Sequence, residues 1–547
     1  MNRSSYFVIL GLFLFATMIS AQTLTRTAEI KEPSGLERGF GNVVAGVDFD
    51  GDGLPEIYAC NSNFIDESYE LIPRIYKFEW NPTTATWDSV WGAVAPVPAQ
   101  NTWPALTWGD MDKDGRPELY WGVVNNLDAS TNPNPARILV YEYPGDGSDN
   151  MGVSDGFGGF EPNAKTSITS TDMLNLRPIR FIIADPDGDG TDELIFVDRA
   201  SSDSDWHIGV LSVDDVPDNG GGLETWTVEY SGVGDPNLTG SGAAYDLLVV
   251  DNYIAVINSS GKVGLIKYDA GAWSSLPLQS GVAGENSSFK GSVVISNGDQ
   301  KDVYVGSWYS GKVYYVTKDE NVDTLISYEV ADFSPYAVRL EGADAGDIDG
   351  DGYPDMIFGS RYMSGNTAKV PIFRLEYQGG DKTSPSSYTA SIIDSAYWNN
   401  NGDMDVICVA NVDGDAADEV LYTQGYTRGN ANDTPMPLIV LDMHETLITS
   451  VEKETDMVPA KFYLEQNFPN PFNPSTTIKF GITQPANVDL RIYDILGREV
   501  AVLINNEHMG TGTYNISFDA SRLASGNYIY RMTAGNKTIS KKMQLLK

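Results

Sequence analysis

The chain reads as all-β: a seven-bladed β-propeller with cation-binding loops, followed by a small immunoglobulin-like β-sandwich. Three observations carry this expectation. The run Asp48-Phe49-Asp50-Gly51-Asp52-Gly53-Leu54-Pro55-Glu56 returns in near copy from Asp110, Asp185, Asp347 and Asn411. Each copy leads into a short apolar run such as Ile57-Tyr58 or Met356-Ile357-Phe358. A proline-punctuated stretch then separates this array from a basic tail of alternating short strands.

Residues 1–21 are expected to be a secretory signal. Arg3 gives the positive start, Tyr6–Ile19 is apolar but too short to span a bilayer, and small Ser20-Ala21 follow. No later segment approaches the roughly 20 apolar residues of a transmembrane helix, so an exported mature protein without a transmembrane segment is expected.

The propeller is assigned to residues 22–455. The loops start at 48, 110, 185, 347 and 411, giving gaps of 62, 75, 162 and 64 residues. The long gap holds two eroded units, Tyr245–Val256 and Gly291–Gly306, each an apolar strand, a polar turn and a second apolar strand. The total is seven units. Each reads as four short strands; in the third these are Ile179–Ala184, Leu194–Asp198, Ile208–Val213 and Thr225–Tyr230. Radial repetition of such units hides most strand edges. A linear solenoid would show a short fixed period, which is missing. In the seventh unit Leu438–Met443 is the third strand. Either Thr446–Glu452 or, preferred, Thr25–Lys31 supplies its outer strand, the latter sewing the ring shut.

Residues 456–474 are assigned as a Pro/Asn-rich linker, around Asn467-Phe468-Pro469-Asn470-Pro471-Phe472-Asn473-Pro474. Residues 475–547 follow as the sandwich, with strands at Thr477–Gly481, Val488–Tyr493, Val500–Ile504, Tyr514–Phe518, Tyr528–Met532 and Ile539–Leu545.

Charge is uneven. The formal net charge is −39, yet residues 461–547 carry ten Lys/Arg against six Asp/Glu, leaving −43 on residues 1–460. Such a field excludes nucleic acid as a partner, since phosphates need Lys and Arg to neutralise them. With only Cys60 and Cys408, a disulfide-stapled scaffold is excluded. The pair reads as two buried thiols or, in an oxidising compartment, as one bridge.

Each loop offers oxygen at positions 1, 3, 5 and 9, with the carbonyl of position 7, a set suited to a hard cation with six to eight oxygen ligands. The metal-ligating residues are Asp48, Asp50, Asp52, Leu54 and Glu56; Asp110, Asp112, Asp114, Arg116 and Glu118; Asp185, Asp187, Asp189, Thr191 and Glu193; Asp347, Asp349, Asp351, Tyr353 and Asp355; and Asn411, Asp413, Asp415, Ala417 and Glu419. Packing these carboxylates together is costly without a counter-ion. Gly53, Gly115, Gly190 and Gly352 permit the sharp turn. An EF-hand would need a bidentate Glu at position 12; here that position is Ala59, Trp121, Phe196, Phe358 or Tyr422, residues fit for a strand facing a core.

These loops resemble the FG-GAP (VCBS-type) repeats of integrin α-subunit propellers and many bacterial exported proteins, over about residues 25–455. The resemblance implies calcium, up to five structural ions, in loops joining the first two strands of a blade. Residues 462–547 resemble the C-terminal sorting domain of the type IX secretion system of Bacteroidota-like bacteria. The residues concerned are Gln466–Pro474, Tyr493-Asp494-Ile495-Leu496-Gly497, Gly526-Asn527-Tyr528-Ile529-Tyr530 and Lys541–Lys547. That resemblance implies recognition by the secretion machinery and a product either secreted or attached to the outer-membrane surface.

No catalytic constellation stands out. Histidine occurs only at 207, 444 and 508, outside any triad or zinc spacing, and a fully ligated ion keeps no open position for substrate. On the face opposite the loops the chain offers Tyr69, Trp103, Trp308, Tyr309, Tyr336, Tyr362, Trp398 and Tyr426 among Asn, Gly and Ser. Trp103, Trp308, Tyr309, Tyr362, Trp398 and Tyr426 are the ligand-face candidates, rings able to stack on sugars or anchor a protein. A non-catalytic module binding a glycan or protein at the cell surface is the leading expectation. A secreted polysaccharide lyase or glycoside hydrolase, or a purely structural surface protein, are the alternatives.

Overall fold

The structure is a computed structural model. It describes the strands and most turns between residues 20 and 546. Outside the described residues lie 1–19 and the loop stretches 34–38, 62–72, 96–102, 124–135, 167–175, 200–207, 239–243, 280–287, 319–323, 363–369, 397–405, 424–436, 443–451, 456–460 and 521–524, with isolated shorter gaps. The signal expected over 1–21 therefore falls outside them, except that Ser20–Ala21 pairs in parallel with Tyr388–Ala396.

Among the described residues the chain is all-β apart from two 3₁₀ turns. Seven sheets, each with four antiparallel strands, follow one another along residues 25–442; the sixth carries Ser20–Ala21 as a fifth, parallel strand, and the seventh takes one strand from the N-terminal side. The first is Phe40–Val47, Glu56–Asn61, Arg74–Asn81 and Thr86–Val94, paired in that order. The leading strand of each sheet lies against the leading strand of the next, and that of the seventh, Ile407–Ala410, lies against Phe40–Val47 of the first.

Packing follows the same circuit. One apolar cluster joins each sheet to its successor: Tyr58 and Trp91 meet Leu119 and Trp121 between the first and second, and Phe40 and Phe78 meet Leu421 and Val440 between the seventh and first. Second strands are wedged between neighbours on both faces. Glu56–Asn61, Glu118–Gly122, Glu193–Asp198 and Glu419–Thr423 are buried throughout, so they read as continuous apolar runs rather than as alternation. Outer strands such as Trp226–Ser231 are half-exposed and keep more polar residues.

The seventh sheet takes its outer strand from the N-terminal side. Thr25–Ile30 pairs antiparallel with Leu438–Asp442, and Ile30 and Ala28 enter the cluster shared with the first sheet. Thr446–Glu452, the other candidate for this strand, falls almost wholly outside the described residues; Glu452 itself belongs to the second unit.

That unit consists of two four-stranded sheets. Ile478, Phe480, Ile516 and Phe518 from one share a core with Leu490, Ile492, Tyr530 and Met532 from the other. Two boundaries differ from expectation. Glu452–Thr455, assigned to the propeller, pairs with Gly512–Asp519 of the second unit. The described part of 456–474 is not a free linker: Tyr463–Leu464 pairs with Ser475–Ile482, and Phe472 is buried. Asn467 donates its backbone N–H to Tyr530 Oη at 2.8 Å, and Tyr530 donates to the Glu465 carbonyl at 2.7 Å. Proline blocks regular pairing, but the aromatic and amide side chains between the prolines bind this segment to the second unit.

Candidate functional site

Each aspartate loop joins the first and second strands of its sheet, and all share one scaffold. The position 1 side chain accepts the N–H of position 6 from Gly53, Gly115, Gly190 and Gly352 at 2.8–3.1 Å. Those glycines have φ of 89–92°, a region costly for any residue with a Cβ. The position 5 carboxylate accepts the N–H of position 7 at 2.7–2.8 Å in all five loops. Asn411 departs from the pattern by donating its amide to the Asp415 carbonyl at 2.6 Å. Position 12 is a fully buried strand residue every time, the placement that separates these loops from EF-hands.

The folded loops gather their carboxylates. Asp110, Asp112, Asp114 and Glu118 each place an oxygen within 4.8 Å of the others, as do Asp48, Asp50 and Glu56, and Asp185, Asp187 and Glu193. Glu118 Oε1, Asp110 Oδ1, both Glu193 carboxylate oxygens and Glu419 Oε1 are buried without a hydrogen-bond partner. Burial, reinforced by neighbouring carboxylates (those of the loop for Glu118, Glu229 and then the loop for Glu193), pushes Glu118 and Glu193 up to about 9. Buried orphan oxygens in an all-oxygen donor set fit a hard divalent cation, which would supply the missing charge.

A second constellation forms at the opposite end of the ring. Trp103 leads into the second sheet and Phe289 into the fifth, and their rings meet at 5.3 Å. Phe289 continues to Trp308 at 6.2 Å and Tyr245 at 5.1 Å, and Trp308 to Tyr309 at 5.0 Å. Two guanidinium groups cap this aromatic row. Arg199 lies 4.5 Å over Trp103 and 6.0 Å from the Tyr245 ring centre; Arg339 lies 4.6 Å over Trp308 and 5.5 Å from that of Tyr309. Neither arginine has a carboxylate partner among the described residues. Trp308 Nε1 donates to Glu341 Oε2 at 3.2 Å, which orients the indole. Trp103 and Lys290, each just before a leading strand, adopt φ of 50° and 49°, conformations rare for bulky residues.

Of the ligand-face candidates, Trp103, Trp308 and Tyr309 come together here. Trp398 and Tyr426 lie outside the described residues, as does Tyr69, and Tyr362 is described only as backbone in the strand Asp355–Tyr362. Tyr336 packs edge-on against Phe373 at 5.4 Å, between sheets. Sequence reading missed Tyr245, Phe289, Arg199 and Arg339. A usable signal was positional: Phe289 precedes a leading strand just as Trp103 does.

Both cysteines are free and buried, so the bridge is not formed. They serve different clusters, Cys60 between the first and second sheets and Cys408 between the seventh and first. Burial pushes the Cys60 thiol up to about 12, which makes it a packing group rather than a nucleophile.

Two family models match parts of the chain. The FG-GAP-like repeat family matches residues 48–121, and the secretion system C-terminal sorting domain family matches residues 466–545. No curated protein matches the chain. Among solved structures, BBS1N in complex with ARL6DN is similar at 10% identity, covering 78% of this chain and 100% of that one with a TM-score of 0.41. The β-propeller domain of Myceliophthora thermophila Cps50 (Swd1) follows at 8% identity, 73% and 96% coverage and 0.39. The Pseudomonas aeruginosa periplasmic gluconolactonase PpgL stands at 13%, 74% and 99%, and 0.37. Likeness at these scores carries no functional argument; the architecture rests on strand pairing. No helix among the described residues is long and apolar enough to cross a membrane. The chain is an all-β bacterial protein with an FG-GAP-like repeat and a type IX secretion C-terminal sorting domain, secreted or attached to the cell surface.

Proposed function

We propose that this protein is an exported seven-bladed propeller that binds an acidic glycan, non-catalytically, at the mouth opposite its aspartate loops. One observation carries the reading. Acidic residues outnumber basic ones by 75 to 36, yet Arg199 and Arg339 stack on tryptophan without a carboxylate partner among the described residues. Guanidinium groups recognise carboxylates in a planar, bidentate way, and flanking aromatic faces suit the apolar side of a sugar ring.

On this reading the loops are structural and the ion is calcium. It would be held by the oxygen set at positions 1, 3, 5, 7 and 9, and its bound charge would make the buried carboxylates tolerable. The second unit, an immunoglobulin-like sandwich on this reading, delivers the ring to the surface and takes no part in ligand binding.

A glycan array run with calcium tests the proposal. Uronic-acid oligosaccharides should be retained and their neutral counterparts should not. Retention of neutral sugars alone, or of none, would count against it. Release of unsaturated or reducing ends would make the same face a lyase or hydrolase.

A further inference from the structure

We infer that the five aspartate loops are of two kinds: three need a bound divalent cation, and two, in the first and sixth blades, carry their own counter-ion in Lys77 and Arg374. The inference rests on the calcium reading of the loops. It follows from what happens to the carboxylate at position 9, which is buried in every loop.

In four loops one oxygen of that carboxylate accepts the N–H of position 2. The pairs are Phe49 with Glu56 at 3.2 Å, Met111 with Glu118 at 3.1 Å, Ile348 with Asp355 at 3.3 Å and Val412 with Glu419 at 2.7 Å. The other oxygen decides the class. In the first blade, Glu56 Oε1 lies 2.6 Å from Lys77 Nζ, which also reaches Asp50 Oδ2 at 2.7 Å and Asp149 Oδ1 at 2.9 Å. In the sixth, Asp355 Oδ1 accepts from Arg374 Nε at 2.6 Å, and Arg374 also pairs with Asp349 and, at 3.5 Å, with Glu376. Both cationic side chains are almost wholly buried, at 1% and 2% exposure. Each grips positions 3 and 9 of its loop. In the second, third and seventh blades the corresponding oxygens, Glu118 Oε1, Glu193 Oε1 and Glu419 Oε1, have no hydrogen-bond partner and, unlike Glu56 Oε1 and Asp355 Oδ1, no cationic side chain within ion-pair reach among the described residues.

Strand register explains the division. Lys77 stands opposite Tyr58 and Arg374 opposite Ile357, both at position 11 of their loops. The residues on that rung elsewhere are Val140, Val210 and Val440. Calcium binds oxygen at 2.3–2.6 Å, so an ammonium at 2.6–2.7 Å from two of the same oxygens competes for the same space and repels the ion. The further carboxylates on Lys77 and Arg374 hold each cation in place.

The test counts calcium retained by the full-length chain after desalting from micromolar free ion, using atomic emission. Three ions per chain are expected. Lys77→Met and Arg374→Met should each add one, and Val210→Lys should remove one, a reverse variant that guards against misfolding in the other two. Five ions in the unaltered chain, or an unchanged count in all three folded variants, would overturn the division. No retained ion would overturn the calcium reading itself.

Discussion

Trp103 and Phe289 meet edge to face, 5.3 Å between ring centres and 76° between planes, although one leads into the second sheet and the other into the fifth. Sheets that are not neighbours touch only across the middle of the ring. The pair therefore places the aromatic row, and the two arginines capping it, over the central mouth.

Replacing Trp103 separates binding from folding. Its φ of 50° is paid for by whatever the ring does, and glycine adopts that conformation without strain. Trp103→Gly is expected to leave the melting temperature within about 2 °C of the parent, since relief of strain offsets lost packing. Affinity for an acidic oligosaccharide should fall at least about tenfold, the scale of a central aromatic anchor. Calorimetric titration beside a thermal melt measures both.

Ring closure depends on the N-terminal strand. Ile30 is buried at 4% exposure in the cluster shared with the first sheet, so Ile30→Ala should cost about 2–5 kcal/mol in urea unfolding. Glu29→Ala on the exposed face of the same strand should cost less than about 0.5 kcal/mol.

The loops should reverse the protein's pH dependence when stripped of ion. Glu118 and Glu193 are pushed up to about 9 by burial without a cation, against about 4.3 when unfolded. The chelated fold then holds more protons than the unfolded chain between those values, so its stability is greatest below the unfolded pKa and falls as pH rises towards 9. With EDTA, melting at pH 8.5 should lie at least about 5 °C below melting at pH 5.5. With calcium, binding favours the ionised carboxylates and the order should reverse.

In the second unit, Tyr530→Phe removes the hydroxyl that serves both the Asn467 N–H and the Glu465 carbonyl. Leaving these groups short of a partner should cost about 1–3 kcal/mol, read as a lower transition for this unit in calorimetry of the whole chain.

The repeat period and loop spacing made the ring legible because each loop is local: nine consecutive residues contain all its donors. The closing strand was legible because Thr25–Ile30 had no sheet of its own. What lay beyond local sequence was not legible. Lys77 follows its loop by some twenty residues, and only the pairing of Tyr58 with Lys77 brings it to Glu56. Arg199, Tyr245 and Phe289 come from three different sheets and gain meaning only when the ring gathers them. The proline run looked like a spacer because prolines dominate its composition, while the side chains between them set its packing.

The most direct measurement is calorimetric titration of the calcium-loaded protein with a uronic-acid oligosaccharide, beside Arg199→Gln and Arg339→Gln variants that melt like the parent. The expected result is saturable binding by the parent, weakened at least about tenfold by either substitution, as for loss of a charge-assisted contact. Equal binding by parent and variants, or equal affinity for the neutral oligosaccharide, would contradict the account.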